Sequence, residues 1–155
     1  MEFRRILVPT DFSERSYTAF QVALKHGQCM GATLVLFHVI PREQIKFTRE
    51  ILIEGKTTIP GYTEEELMER RKAKMMNEFR EHFPNYDKET VRIDTEVRVG
   101  NPVEEILKAI NELDIDAVVM GTHGRTGLDL VLIGSVAEKV VRHAEVPVTT
   151  VKAVK

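Results

Sequence analysis

Cysteine is nearly absent from this sequence of 155 residues, since Cys29 stands alone. A lone cysteine cannot form an internal disulfide, and Cys29 has no histidine or cysteine neighbour at the spacing of a zinc site. The sequence therefore excludes a disulfide framework and a zinc finger. It is typical of a protein of the reducing cytoplasm.

An excess of one charge and a long apolar run are also missing. Lysine and arginine number 22 against 24 aspartates and glutamates, so we expect no general attraction to nucleic acid or to anionic lipid. No segment approaches the roughly 20 apolar residues of a membrane helix. The first apolar stretch is too short for a signal-peptide core, because Pro9 and Asp11 bound it. We expect a cytoplasmic protein with no nucleic-acid or membrane partner.

What the sequence does contain is a regular alternation of strand and helix patterns. Apolar runs predict strands at residues 6–8, 33–39, 91–99, 116–120 and 146–151, with helical periodicity between them. This order predicts one domain, residues 1–155, of α/β class. We expect a single doubly wound, Rossmann-like, five-stranded parallel sheet with helices on both faces. Strict alternation in residues 91–99 places that strand near a sheet edge. The irregular segment 41–62 is expected to be a long loop or lid.

Helix boundaries carry their own signals. Ser13 is placed to cap the first helix, over residues 16–26, and either Gly27 or Gly31 can end it. Thr63 and Glu66 match a capping box at the start of a helix that reaches about residue 82. Asn101 followed by proline predicts the start of a third helix, which should end near residue 113.

Polar and glycine residues gather where the predicted strands end. Thr10 and Asp11 follow the first strand, and a glycine-bearing segment, residues 121–127, follows the fourth. Ligands of open parallel sheets bind at the carboxyl ends of strands. Gly121 and Gly124 would let backbone amides approach a phosphate, and the helix that opens at Gly134 would offer free amides. The pattern predicts a polyphosphate cradle without a lysine, with Asp11 at the nucleoside end.

Two other phosphate motifs are excluded by spacing. Gly55-Lys56-Thr57 imitates the end of a P-loop, but Glu50 stands where its first glycine is required. The glycines of residues 121–127 are spaced three and three, unlike the dinucleotide fingerprint. A bound NAD is therefore not expected.

The glycine pattern resembles a known signature. Gly121-x-x-Gly124, nine residues and then Gly134-Ser135 is similar to the ATP-binding motif of the universal stress proteins. Residues 6–13, 34–39, 99–102, 134–140 and 146–148 also resemble that family, so the likeness extends over nearly the whole chain.

The resemblance implies a set of binding residues, a cofactor and an assembly. It implies that Asp11 holds ribose or adenine and that Pro9, Thr10 and Val39 line the adenine slot. The residues implied around the ribose and phosphates are Met120, Gly121, His123, Gly124, Gly134, Ser135 and Val136. It also implies ATP with Mg²⁺ carried by the nucleotide, and a homodimer paired through the C-terminal strand.

Plainer interpretations of these residues stay open. Glycines at strand ends are often only turns, and Asp11 could simply support the cap of the first helix beside Ser13. His123 is assigned contact and no catalytic role. His26, His38, His82 and His143 are interpreted as ordinary surface or boundary residues.

Three functions are therefore compared. The first is an ATP-binding stress or signalling protein whose nucleotide stabilises a conformation or interface that an unknown protein partner reads, with slow or no hydrolysis. The second is an enzyme of a related fold, a nucleotidyl transferase or ATP pyrophosphatase, but the sequence lacks their His-x-Gly-His and Ser-Gly-Gly signatures. The third is an interaction module that binds no nucleotide.

Overall fold

Five parallel strands form one sheet in the order β3-β2-β1-β4-β5. The computed structural model describes residues 3–44, 63–86, 90–122 and 134–152. The strands are β1 (Arg5–Pro9), β2 (Thr33–Pro41), β3 (Ile93–Gly100), β4 (Ala117–Gly121) and β5 (Val148–Val151). The predicted doubly wound parallel sheet is confirmed.

Four helices cover the two faces of this sheet. They are α1 (Glu14–Met30), α2 (Glu64–His82), α3 (Pro102–Glu112) and α4 (Ser135–His143). Apolar residues of α1 and α2 share one buried cluster with the sheet, and those of α3 and α4 share a second cluster on its opposite face. The central strands are buried on both faces and so carry unbroken apolar runs. The alternating strand β3 lies at an edge, as its pattern predicted.

Glycine ends α1 at the later of the two candidate positions. Ser13 caps the start of the helix by accepting a hydrogen bond from the Ser16 amide. Gly31 ends the helix with φ 66°, a left-handed conformation that favours glycine. Gly27 lies within the helix, where an added Cβ would stand 3.1 Å from Val91 Cγ1. Close packing of α1 on the sheet therefore accounts for glycine at position 27.

The other predicted helix starts are confirmed. Thr63 and Glu66 form both hydrogen bonds of a capping box. The Asn101 side chain accepts from the amides of the first turn of α3, with Pro102 in the first helical position. These caps depend on residues no more than three positions apart.

Segment boundaries differ from the sequence prediction where strands pair. β2 extends to Pro41 because its pairing with β3 continues to Gly100, so the irregular segment begins later than predicted. Residues 45–62 of the expected loop or lid lie outside the described residues. β3 begins at Ile93 instead of Val91, which is buried just before the strand.

Aromatic contacts hold α2 against α1. Phe20 of α1 meets Phe79 edge to face, with ring centroids 4.9 Å apart. The Tyr17 hydroxyl donates to Glu78, and its ring stacks on His82. Burial, reinforced by the Glu78 carboxylate, raises the pKa of Tyr17 above its ordinary value. None of the helices that the structure describes has the length and apolarity needed to cross a membrane.

Candidate functional site

A cavity of about 410 Å³ opens at the carboxyl edge of the sheet. It lies where β1 and β4 are neighbours, the point from which the chain builds the sheet outward in opposite directions. The ends of β1, β2 and β4 contribute to its lining, together with the first turns of α3 and α4. Its volume is in the range of sites for small molecules.

Most of the site residues predicted from the sequence meet in this cavity. The nine that line it are Pro9, Thr10, Asp11, Val39, Met120, Gly121, Gly134, Ser135 and Val136. His123 and Gly124 lie outside the described residues. The structure therefore brings together residues that are more than 120 positions apart in the sequence.

The wall of the cavity on the α3 and α4 side is apolar. Val39 and Met120 are buried at the ends of β2 and β4, and Ile106 of α3 lies opposite. Pro102 extends this wall at the start of α3. Flat, weakly polar rings bind well against such a surface, because aliphatic side chains offer dispersion contacts and no polar group to desolvate.

An ion-pair cluster anchors the α3 wall to the edge strand. Arg98 Nη1 lies 2.6 Å from Glu112 Oε2 and 3.8 Å from Glu105 Oε2. The guanidinium also lies over the ring of Phe37, 5.6 Å from its centroid, and Phe37 lines the cavity. Arg98 thus connects the residues beneath the cavity to the helix beside it.

The turn after β1 is held by hydrogen bonds within itself. The Thr10 amide donates to the Phe37 carbonyl at 2.8 Å, and the Phe12 amide donates to Thr10 Oγ1 at 3.1 Å. Ser16 Oγ donates to the Ser13 carbonyl at 2.7 Å. The 3.0 Å contact between the Thr10 and Ser16 hydroxyls therefore has Thr10 as the donor.

This turn contains a backbone conformation that is unusual for its residue type. Phe12 has φ 64°, in the left-handed region. For a residue with a side chain this costs about 1–2 kcal/mol. The hydrogen bonds of the turn offset that cost and keep the chain in the shape that presents Asp11.

Asp11 both supports the helix cap and lines the cavity. Its Oδ1 accepts from the Ser13 hydroxyl at 2.6 Å and from the Ser13 amide at 3.1 Å. Ser13 in turn caps α1. The two interpretations that the sequence left open are thus structurally compatible, because supporting the cap holds the carboxylate at the cavity.

The first turn of α4 presents backbone donors at the cavity. Gly134 caps α4 without a side-chain hydrogen bond, and its amide donates to the Thr122 carbonyl. The first hydrogen bond within α4 is made by the Glu138 amide, so the amides of residues 135–137 have no partner within the helix. Such a helix start stabilises an anion through its amides and its dipole.

His38 is a cavity-lining residue that the sequence interpretation missed. It was assigned to an ordinary surface or boundary position, but it is buried, lines the cavity and approaches the Thr10 carbonyl with Nδ1 at 2.8 Å. One signal was available: a histidine inside a continuous apolar strand is buried on both faces and needs a hydrogen-bond partner. Ser16, Gln44 and Thr122 also line the cavity without having been predicted to.

Comparison with known proteins agrees with this architecture. The sequence profile described as the Universal stress protein family matches residues 2–152.

The chain belongs to the universal stress protein family.

Individual members of the family are similar over their full length. Universal stress protein MJ0577 of Methanocaldococcus jannaschii is 34% identical, over 97% of this chain and 95% of the relative. Its solved structure has a TM-score of 0.73 at 31% identity, with coverage of 100% of this chain and 99% of the other.

Two further structures of universal stress proteins share the fold and were solved with nucleotides. One, in complex with cAMP, has a TM-score of 0.65 at 19% identity. The other, from Archaeoglobus fulgidus in complex with dAMP, has a TM-score of 0.60 at 19% identity. Each covers 97% of this chain and 98% of the other.

Gly121 has a structural reason that differs from the one its motif suggested. From the sequence, the missing side chain was expected to let the backbone approach a phosphate. A Cβ at this position would stand 3.1 Å from the Arg15 carbonyl oxygen of α1. The absence of a side chain at position 121 therefore lets α1 pack closely on the end of β4.

This packing predicts the effect of adding one methyl group. We expect Gly121→Ala to lower the free energy of unfolding by about 1–3 kcal/mol, because the helix backbone must move away from the strand. Chemical denaturation, monitored by circular dichroism, measures the change. Unchanged stability together with weakened phosphate binding would instead favour the role expected from the motif.

Proposed function

We propose that this universal stress protein binds ATP in the cavity between β1 and β4. The observation that carries the proposal is the arrangement of three chemically distinct surfaces around one space. An apolar wall ends at Val39 and Met120, a carboxylate is held at Asp11, and the first turn of α4 presents unpaired amides. They match a purine ring, a ribose hydroxyl and a phosphate respectively.

The charge distribution sets the direction of the ligand. Asp11 repels phosphate but accepts hydrogen bonds from ribose hydroxyls or an adenine amino group, so it belongs at the nucleoside end. The α4 terminus, with Ser135 and Val136, belongs at the phosphate end. His123 and Gly124 are proposed to complete the phosphate contacts. The family members solved with cAMP and dAMP support an adenine nucleotide as the ligand class.

Mg²⁺ is proposed to arrive with the nucleotide. In the parts of the chain that the structure describes, no cluster of three or more histidine, cysteine or acidic residues could hold a metal ion. The triphosphate itself supplies oxygen ligands for Mg²⁺, which usually keeps several waters. The metal would then neutralise phosphate charge near the α4 terminus.

The bound nucleotide is proposed to stabilise a conformation or an interface, with slow or no hydrolysis. The cavity lining that the structure describes contains neither lysine nor arginine, and the sequence has no P-loop. In this proposal the whole chain acts as one nucleotide-binding domain in the cytoplasm, and a protein partner responds to the nucleotide state. Stress or signalling is the biological context proposed for it.

A homodimer is proposed to form through β5. This strand lies at the edge of the sheet, paired with β4 on one side. The Val118 amide bonds to the Pro147 carbonyl and the Thr122 amide to Val151, so the odd-numbered residues of this segment face β4. The backbone groups of Thr150 therefore point outward, where a second copy could pair with them.

The first experiment asks whether nucleotide is bound. We expect natively purified protein to release about one ATP per chain on denaturation, identified by chromatography and mass spectrometry. Protein stripped of ligand should then bind added ATP. Turnover at about 1 per second or faster would contradict slow hydrolysis, and failure to bind ATP below about 1 mM would contradict the site and favour the interaction module.

Two substitutions test the proposed orientation. Asp11→Asn keeps an oxygen acceptor for Ser13 but replaces the other carboxylate oxygen with a donor, so adenosine affinity should fall about tenfold while stability stays near that of the unmodified protein. Gly124→Val should weaken ATP much more than adenosine, because a branched side chain obstructs phosphate. Calorimetric titration of both ligands onto both variants measures this. Equal losses for ATP and adenosine in Gly124→Val would contradict the geometry.

The dimer proposal predicts different effects for neighbouring prolines. Thr150→Pro removes an outward amide and should yield a folded monomer, whereas Thr149→Pro removes an amide facing β4 and should reduce stability. Light scattering after size exclusion gives the mass, and thermal unfolding gives the stability. A Thr150→Pro protein that stays dimeric, or unmodified protein that is monomeric, would contradict pairing through β5.

A further inference from the structure

His38 lies where the backbone pairing between β1 and β2 ends. Pairing of the two strands runs to Pro9 and Phe37, and the Thr10 amide then bonds to the Phe37 carbonyl. His38 Nδ1 lies 2.8 Å from the Thr10 carbonyl oxygen. Because a carbonyl only accepts, Nδ1 carries the proton and donates it. A side chain thus extends the ladder by one hydrogen bond beyond the paired residues.

This hydrogen bond fixes the Thr10 residue from both ends. Its amide is held by the Phe37 carbonyl, and its own carbonyl is held by His38. Both contacts come from β2, whose residues 34–40 are buried. The orientation of the chain entering the turn is therefore set by the strand beneath it.

His38 also contacts the turn on the far side of Asp11. The imidazole and the Phe12 ring have centroids 4.7 Å apart at an angle of 51°. Lys74 Nζ lies over the other contacts of this ring, 4.9 Å from its centroid. Phe12 is the residue in the left-handed conformation, so the imidazole packs against the part of the turn that most needs support.

We propose that His38 is a positioning residue of the nucleotide site. It contacts the residues immediately before and after Asp11, one by a hydrogen bond and one by ring packing, and so fixes the direction in which the carboxylate meets the ligand. The inference rests on the proposed function, because it concerns affinity for the same nucleoside. Its effect should appear in binding of adenosine and ATP alike, since both share the nucleoside.

Two variants of similar shape separate positioning from simple core packing. In His38→Asn the side-chain NH₂ can take the place of Nδ1–H, whereas His38→Leu has no donor. We expect His38→Leu to weaken adenosine and ATP about tenfold each, and His38→Asn to stay within about threefold of the unmodified protein. His143→Leu, at the exposed end of α4, is the control and should bind normally.

Two readouts need no ligand. Hydrogen exchange of the Phe12 and Ser13 amides should be faster in His38→Leu and nearly unchanged in His38→Asn. In the unmodified protein, nitrogen NMR of the imidazole should show the proton on Nδ1. This spectrum decides the hydrogen bond even if the leucine variant does not fold. A neutral ring with its proton on Nε2 would overturn the proposal.

Failure of the inference differs from failure of the proposed function. If the unmodified protein binds ATP, but the leucine and asparagine variants lose equal affinity or none, the positioning role is wrong and the function stands. If the unmodified protein binds neither adenosine nor ATP, the proposed function is wrong, and His38 has no role in nucleotide binding. The exchange rates then decide only whether it fixes the turn.

Discussion

The cavity depends on the central position of β1 in the sheet. From β1 the chain adds β2 and β3 on one side, then crosses to add β4 and β5 on the other. The helices therefore change face, with α1 and α2 on one side and α3 and α4 on the other. Helices that leave β1 and β4 diverge to opposite faces, so their first turns cannot close over the strand ends, and a crevice remains between them.

Around this crevice, the polar groups of the β1 turn are held before any ligand binds. Asp11, Thr10 and Ser16 are linked through side-chain and backbone hydrogen bonds. A group that is already oriented loses less conformational entropy on binding. The same bonds offset the left-handed conformation of Phe12. Strain and pre-organisation are thus two consequences of one local network.

How far sequence reasoning reached can be judged from particular residues. The caps at Ser13, Thr63 and Asn101 were predictable, because each bonds to an amide within three residues. The parallel sheet followed from the alternation of elements, and the alternating strand β3 was correctly placed at an edge. Nine proposed site residues were found around one cavity because strand ends of a parallel sheet lie on the same edge.

The sequence by itself determined the order of the elements, their local caps and the class of fold, since these follow from periodicity and from bonds between near neighbours. Only the tertiary structure decided that Gly31 ends α1, that Gly121 makes room for Arg15, and that His38 holds Thr10. Each of these depends on which surfaces pack together or which strands pair. Contacts between residues distant in the sequence are set by the assembled sheet, and local composition carries little record of them.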